Sequence, residues 1–177
     1  MRQWRPGKGE YGQWIPNLLR AFEGDERLDL HVVSTDNLLI EKLQSWSARN
    51  ITYHCFKSGM PILGRNWPAR LPVDHITRFW VNRRRIRKIV EDIDPDVIHL
   101  FGVENPQYGA AVLELIARWP VLVTIQGFVH REAHYHDTVL TRVRCQYEKA
   151  LLQTCREYSG DYDSEKVVRS FSPDVSY

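Results

Sequence analysis

The chain has no apolar run approaching the ~20 residues needed to cross a bilayer, and its first residues, Met1-Arg-Gln-Trp-Arg-Pro, lack the apolar stretch of a secretory leader. It has no excess of charge. With 24 Lys and Arg against 22 Asp and Glu, the formal net charge is only +2, far from the imbalance of a dedicated nucleic-acid binder. No nucleic-acid partner is therefore expected. Cysteine is scarce too: Cys55, Cys145 and Cys155 are an odd set without a CxxC pair, which excludes a disulfide framework and a zinc knuckle. A reducing, cytoplasmic location fits that usage. No internal repeat or low-complexity segment occurs. At 177 residues and 43% hydrophobic, the chain holds enough apolar material for one well-packed domain and too little for two ordinary ones. A single domain over 1–177 is expected.

What is present is an alternation of strand and helix signals. The run Val121-Leu-Val-Thr-Ile-Gln-Gly127 is apolar and β-branched and stops at Gln-Gly, as a buried parallel strand does where it opens into a loop. Asp96-Val-Ile-His-Leu-Phe-Gly102 is a second run of the same kind, one helix upstream. Helical spacing covers 14–22, with Pro16 in its first turn and Gly24 as a stop. Strands are expected at 28–34 and 51–56, with a helix over 37–49 between them. The segment 57–74 reads as a long irregular connection. A helix is expected over 76–93, and another opens at Asn105-Pro106. Further helices cover 138–154 and 163–171, the latter capped by Asp161 or Asp163. Short extended pieces fall at 157–159 and 175–177. Such an order argues for an α/β fold: a mostly parallel sheet with helices on both faces.

Several motifs follow one another in a recognisable sequence. Gly9-Glu10-Tyr11-Gly12 with Trp14-Ile15 leads a helix, Ile93-Asp-Pro-Asp-Val-Ile-His-Leu-Phe-Gly102 joins a helix end to a strand, Val123-Thr-Ile-Gln-Gly127 ends a strand, and Ser159-Gly-Asp-Tyr-Asp163 precedes a short helix. In that order they resemble the N-terminal half of a GT-B glycosyltransferase, in the large retaining group called family 4. The likeness spans nearly all 177 residues and rests on order and spacing. It implies a Rossmann-like, acceptor-side domain. The donor would be a nucleotide diphosphate sugar, and the acceptor a glycan or a lipid-linked saccharide. It also implies a second, C-terminal domain carrying most donor contacts, of which this chain has no signature, so the chain alone is expected to be inactive. Two positions depart from the family pattern. No apolar strand precedes Gly9, and the residue after the Val121 run, commonly histidine, is Gln126.

The expected site gathers on the loops that follow strands. Gly9 and Gly12 lack a Cβ and so let backbone N–H groups approach a diphosphate at a helix start, with Glu10 and Tyr11 between them on the acceptor side. The plain alternative is an ordinary helix entry. Gln126 is expected to orient a sugar hydroxyl through its amide, though an amide does not titrate near neutral pH. His130 is expected in the same cleft as a catalytic residue that orients sugar and acceptor with Gln126, and Gly127 as a substrate-binding residue of that loop. Their alternatives are a loop glutamine and a solvated histidine. Asn105 is a helix cap or a sugar contact, capping being the simpler reading. His99 reads as a buried strand residue. His130, His134, His136 and Asp137 have a metal-like look but match no zinc signature. No metal and no cofactor are expected. Arg83-Arg-Arg-Ile-Arg-Lys88 reads first as a solvated helix face, with Ile86, Ile89 and Val90 inward, and second as a peripheral contact with anionic lipid at the inner face of the membrane. A homodimer is one way to cover the sheet position that the absent first strand leaves empty. The rival to the transferase is a non-catalytic Rossmann-like binding module.

Overall fold

Short apolar strands and amphipathic helices alternate along a mixed α/β chain, and the computed structural model describes residues 14–36, 39–58, 73–132 and 138–177 of it. The chain divides into two compact units, Met1–Phe56 and Lys57–Tyr177, each with its own three-stranded sheet.

In the first unit α1 (Trp14–Phe22) precedes β1 (Leu30–Thr35), β2 (Leu43–Ala48) and β3 (Ile51–Phe56). Gly24, at φ 90°, lets the chain leave the helix. The strand order is β1-β3-β2. β1 runs parallel to β3, with His31 beside Thr52 and Val33 beside His54. β2 runs antiparallel to β3, with Ser45 opposite His54 and Trp46 opposite Tyr53. The helix expected over 37–49 is thus corrected: its second half is a strand. The helical spacing of its apolar residues is outweighed by cross-strand pairing, in which the Trp46 and Tyr53 rings lie 5.4 Å apart and within 13° of parallel. Arg49 takes the left-handed conformation in the tight turn, at φ 56°. Asn50 then ties the turn to the α1–β1 connection. Its amide donates to the Phe22 and Asp25 carbonyls at 3.0 Å and its oxygen accepts the Gly24 N–H at 2.8 Å.

In the second unit the elements are α2 (Val73–Ile76), α3 (Trp80–Ile93), β4 (Ile98–Phe101), α4 (Pro106–Leu115), β5 (Val121–Thr124), α5 (Val129–Glu132), α6 (Val139–Thr154), β6 (Glu157–Ser159) and α7 (Tyr162–Phe171). The helix expected over 76–93 is interrupted. Arg78 and Phe79 are both left-handed, and the break lets Phe79 turn inward to 2% exposure. Burial of one aromatic ring offsets a backbone conformation that L-residues disfavour. β4, β5 and β6 are parallel throughout, and Ser176 adds a single parallel bridge to Glu157. Leu100, Val121, Val123 and Tyr158 point from this sheet into a cluster with Val112, Leu151, Leu152, Cys155 and Val168. α4 packs on α3, α6 and β4, and α5 and α7 pack on α6.

The strands alternate rather than being buried on both sides. His99, Leu122, Thr124 and Ser159 occupy the other face of the pleat and are half-buried or exposed. His99, expected inside, is exposed. Its neighbours Ile98 and Leu100 take the inward direction, and a residue between two inward-facing ones points out. Among the described residues no helix is long and apolar enough to cross a membrane.

Candidate functional site

At the carboxyl end of β5 the chain runs through Ile125-Gln126-Gly127-Phe128 into α5. Phe128 and Val129 are anchored at 7% and 1% exposure, so the next residue, His130, is held at the boundary between core and solvent. Its ring lies 5.3 Å from that of Phe128 and 5.6 Å from that of Phe171.

The group that fixes His130 is Glu148, on α6, at 1% exposure. A buried carboxylate is costly unless its oxygens are hydrogen-bonded. Here Oε2 accepts the Val129 N–H at 2.5 Å, and Oε1 accepts the His130 N–H at 3.1 Å and the imidazole Nδ1 at 2.6 Å. An ionised carboxylate only accepts, so Nδ1 carries a hydrogen, and in the neutral imidazole the lone pair is then on Nε2. No hydrogen-bond partner of Nε2 occurs among the described residues. The arrangement is a base aimed outward by a buried acceptor behind it, the division of labour found wherever an imidazole removes a proton.

Glu148 was missed by sequence reasoning, yet a signal existed. It stands three, four and seven residues before Leu151, Leu152 and Cys155, all at 0% exposure, which places a carboxylate on the apolar stripe of α6. A charged residue on such a stripe needs a partner.

A second polar row crosses the outward face of the same sheet. His99 Nε2 lies 2.7 Å from Thr124 Oγ1, which lies 2.7 Å from Ser159 Oγ. The His99 ring rests on Phe101 with centroids 3.9 Å apart. Although the residue is exposed, lost hydration of that ring holds its pKa below the usual histidine value. Its neutral form is favoured at physiological pH.

The other expected residues are dispersed. Gln126 is exposed and Gly127 half-buried, and a Cβ added to Gly127 would meet nothing within 4 Å. By contrast Gly102, at φ 82°, has the Glu104 carboxylate where a Cβ would be. Asn105 is the N-cap of α4, its side chain accepting the Gln107 N–H at 3.1 Å. Gly9, Glu10, Tyr11 and Gly12 lie outside the described residues, as do His134, His136 and Asp137. Among the described residues no three potential ligands cluster as a metal site would need. In the basic run, Ile86, Ile89 and Val90 are buried. Arg83 pairs with Glu114 at 2.7 Å, and Arg85 donates to the Lys57 carbonyl.

No protein-family model matches the sequence, and no curated protein matches it either.

Proposed function

We propose that the chain is the Rossmann-like acceptor-side domain of a retaining glycosyltransferase, and that His130 is the residue that meets the acceptor hydroxyl. The observation that carries this reading is the buried Glu148 carboxylate fixing His130 at the carboxyl edge of a parallel strand, 2.6 Å from Nδ1. Ligands of open α/β sheets bind at that edge. An acceptor hydroxyl within reach of Nε2 donates its proton there, and Glu148 balances the imidazolium that results. Gln126, exposed on the same loop, orients a neighbouring hydroxyl. A further domain supplies most donor contacts. What this unit supplies is position and one proton acceptor. With a lipid-linked acceptor, the work is done at the inner face of a membrane.

The test is a titration followed through the imidazole ¹⁵N signals of His130. Short oligosaccharides are expected to shift Nε2 at millimolar concentration and leave Nδ1 nearly still. Nucleotide diphosphate sugars are expected to bind this chain with Kd above about 1 mM, no more than about 4 kcal/mol. A micromolar nucleotide sugar complex that leaves His130 unmoved would overturn the assignment and favour a binding module of another kind. In an active enzyme containing the domain, Gln126→Ala is expected to lower kcat/KM by the ~0.5–1.5 kcal/mol of one neutral hydrogen bond.

A further inference from the structure

The first unit holds a hydrogen-bonded chain that the proposed transferase does not use. Asp29 Oδ1 lies 3.3 Å from His31 Nε2. His31 Nδ1 lies 2.9 Å from His54 Nε2, and His54 Nδ1 lies 3.0 Å from Ser45 Oγ. The four residues come from the lead-in to β1, from β1, from β3 and from β2, and the register sets His54 directly opposite Ser45.

The donors and acceptors order themselves in one direction. The Asp29 carboxylate, 3.3 Å from His31 Nε2, favours a hydrogen on that nitrogen by its charge. In a neutral imidazole Nδ1 is then the acceptor. His54 must therefore donate from Nε2, which leaves its Nδ1 lone pair facing Ser45. The serine hydroxyl is the donor of the last bond. In that order of tautomers the His54 Nδ1 lone pair faces the Ser45 hydroxyl at 3.0 Å.

The ring geometry says what lies between the histidines. Their planes are within 13° of each other and their centres 5.2 Å apart. That separation is what the 2.9 Å N···N distance plus the two ring radii gives when the nitrogens lie on the line of centres. The rings meet edge to edge, not face to face. A zinc ion on that line, with bonds of ~2.0–2.1 Å on each side, would hold the nitrogens about 4 Å apart. A proton fits and a metal ion does not.

We propose that Ser45 is a nucleophilic serine that takes an acyl group from an activated ester, with His54 as its base and with His31 and Asp29 positioning that base. The Ser45 Oγ–carbonyl carbon bond forms as the hydroxyl proton passes to His54 Nδ1. The ester C–O bond then breaks, and the alcohol leaves with that proton. Water repeats the sequence to release the acid. Ser45 is exposed on β2, which pairs only with β3 among the described strands, so an ester reaches it from solvent. Burial, followed by the neighbouring His31, lowers the pKa of His54, which keeps the base unprotonated near neutrality.

Ser47 provides an internal control. It is exposed two residues along the same face of β2, and its hydroxyl meets Thr52 Oγ1 at 2.9 Å rather than an imidazole. The whole chain is exposed briefly to p-nitrophenyl acetate and acetylated serines are mapped by mass spectrometry. General-base assistance is worth about 10²–10⁴ in rate, so Ser45 is expected to be labelled at least about tenfold more than Ser47. His54→Gln should bring Ser45 down to the Ser47 level. Asp29→Asn, on a side chain that is 86% exposed, should lower the Ser45 signal several-fold with Ser47 unchanged. Labelling should also fall as the relay takes up a proton in acid, because His54 Nδ1 then donates to Ser45. Asp29 and the two imidazoles are the ionisable groups in contact along this relay among the described residues. Equal labelling of the two serines would overturn the proposal, and so would a Ser45 signal that survives both substitutions.

Discussion

Among the described residues the same chemical pair, a carboxylate beside an imidazole, occurs in two opposite settings. Between β5 and α6 the carboxylate is Glu148, with 1% of its side chain exposed, and its histidine is 35% exposed. On the β1-β3-β2 sheet the carboxylate is Asp29, 86% exposed, and its histidine is 23% exposed. In the first case burial forces the acid to collect three donors, so the pair is part of the fold and the imidazole is its wet end. In the second the acid stays in solvent, 86% exposed, and acts on its imidazole only by charge. The surroundings differ for a topological reason. Parallel strands joined by helices press one face against an apolar cluster, whereas β2, joined to β3 by a tight turn, keeps five of its six residues exposed.

Removing each carboxylate tests that contrast most directly. Glu148→Ala leaves two backbone N–H groups and the His130 Nδ1–H without their acceptor, and is expected to cost about 3–5 kcal/mol in a denaturant melt. Asp29→Ala is expected to cost less than about 1 kcal/mol, as exposed pairs do. Equal losses would break the comparison. Glu148→Gln sharpens it, since an amide keeps one acceptor oxygen and should fall between the two.

Alkaline titration reads the same buried cluster from another side. Cys155 is fully buried, which pushes its thiol up to about 11, and burial likewise raises the Tyr158 hydroxyl. Both groups fold in their neutral forms. A folded pKa above the unfolded one means stability that is whole below the unfolded value and lost as pH climbs to the folded value. For Cys155 that window runs from 9.0 to about 11, with a loss of about 3 kcal/mol. Chemical denaturation at stepped pH should show the decline, and Cys155→Ala should flatten its lower part. An unchanged slope would mean that the thiol is not as dry as its 0% exposure implies.

The smallest effect concerns a cap. Asn105→Ala removes the acceptor for the Gln107 N–H and is expected to cost about 1 kcal/mol, with Asn105→Ser nearly neutral. Loss of oligosaccharide shifts at His130 in the serine variant, without loss of stability, would instead give Asn105 a binding role.

Strand ends and caps were readable residue by residue. The helix start at Asn105-Pro106 and the cap at Asp161, one of the two acids read as capping that helix, which accepts the Ser164 N–H at 2.7 Å, both rest on a side chain meeting backbone two or three residues away. The chemistry is local, so the spelling is local. The site was half legible for the same reason. His130 could be placed on a loop after a strand, but its partner lies 18 residues on, across a helix pairing that no short window contains.

The strands β1, β3, β4, β5 and β6, the edge at which the β5 loop opens and the side chains that cap α4 and α7 were determined by the sequence itself, because propensity, periodicity and capping act within a few residues. Tertiary structure alone decided that 43–48 pairs as a strand instead of coiling, that the chain breaks at Phe79, that His99 faces out, and that His31 meets His54 and His130 meets Glu148. Each of these depends on which distant segment competes for the same backbone bonds or the same buried volume, and that competition is settled only when the segments meet.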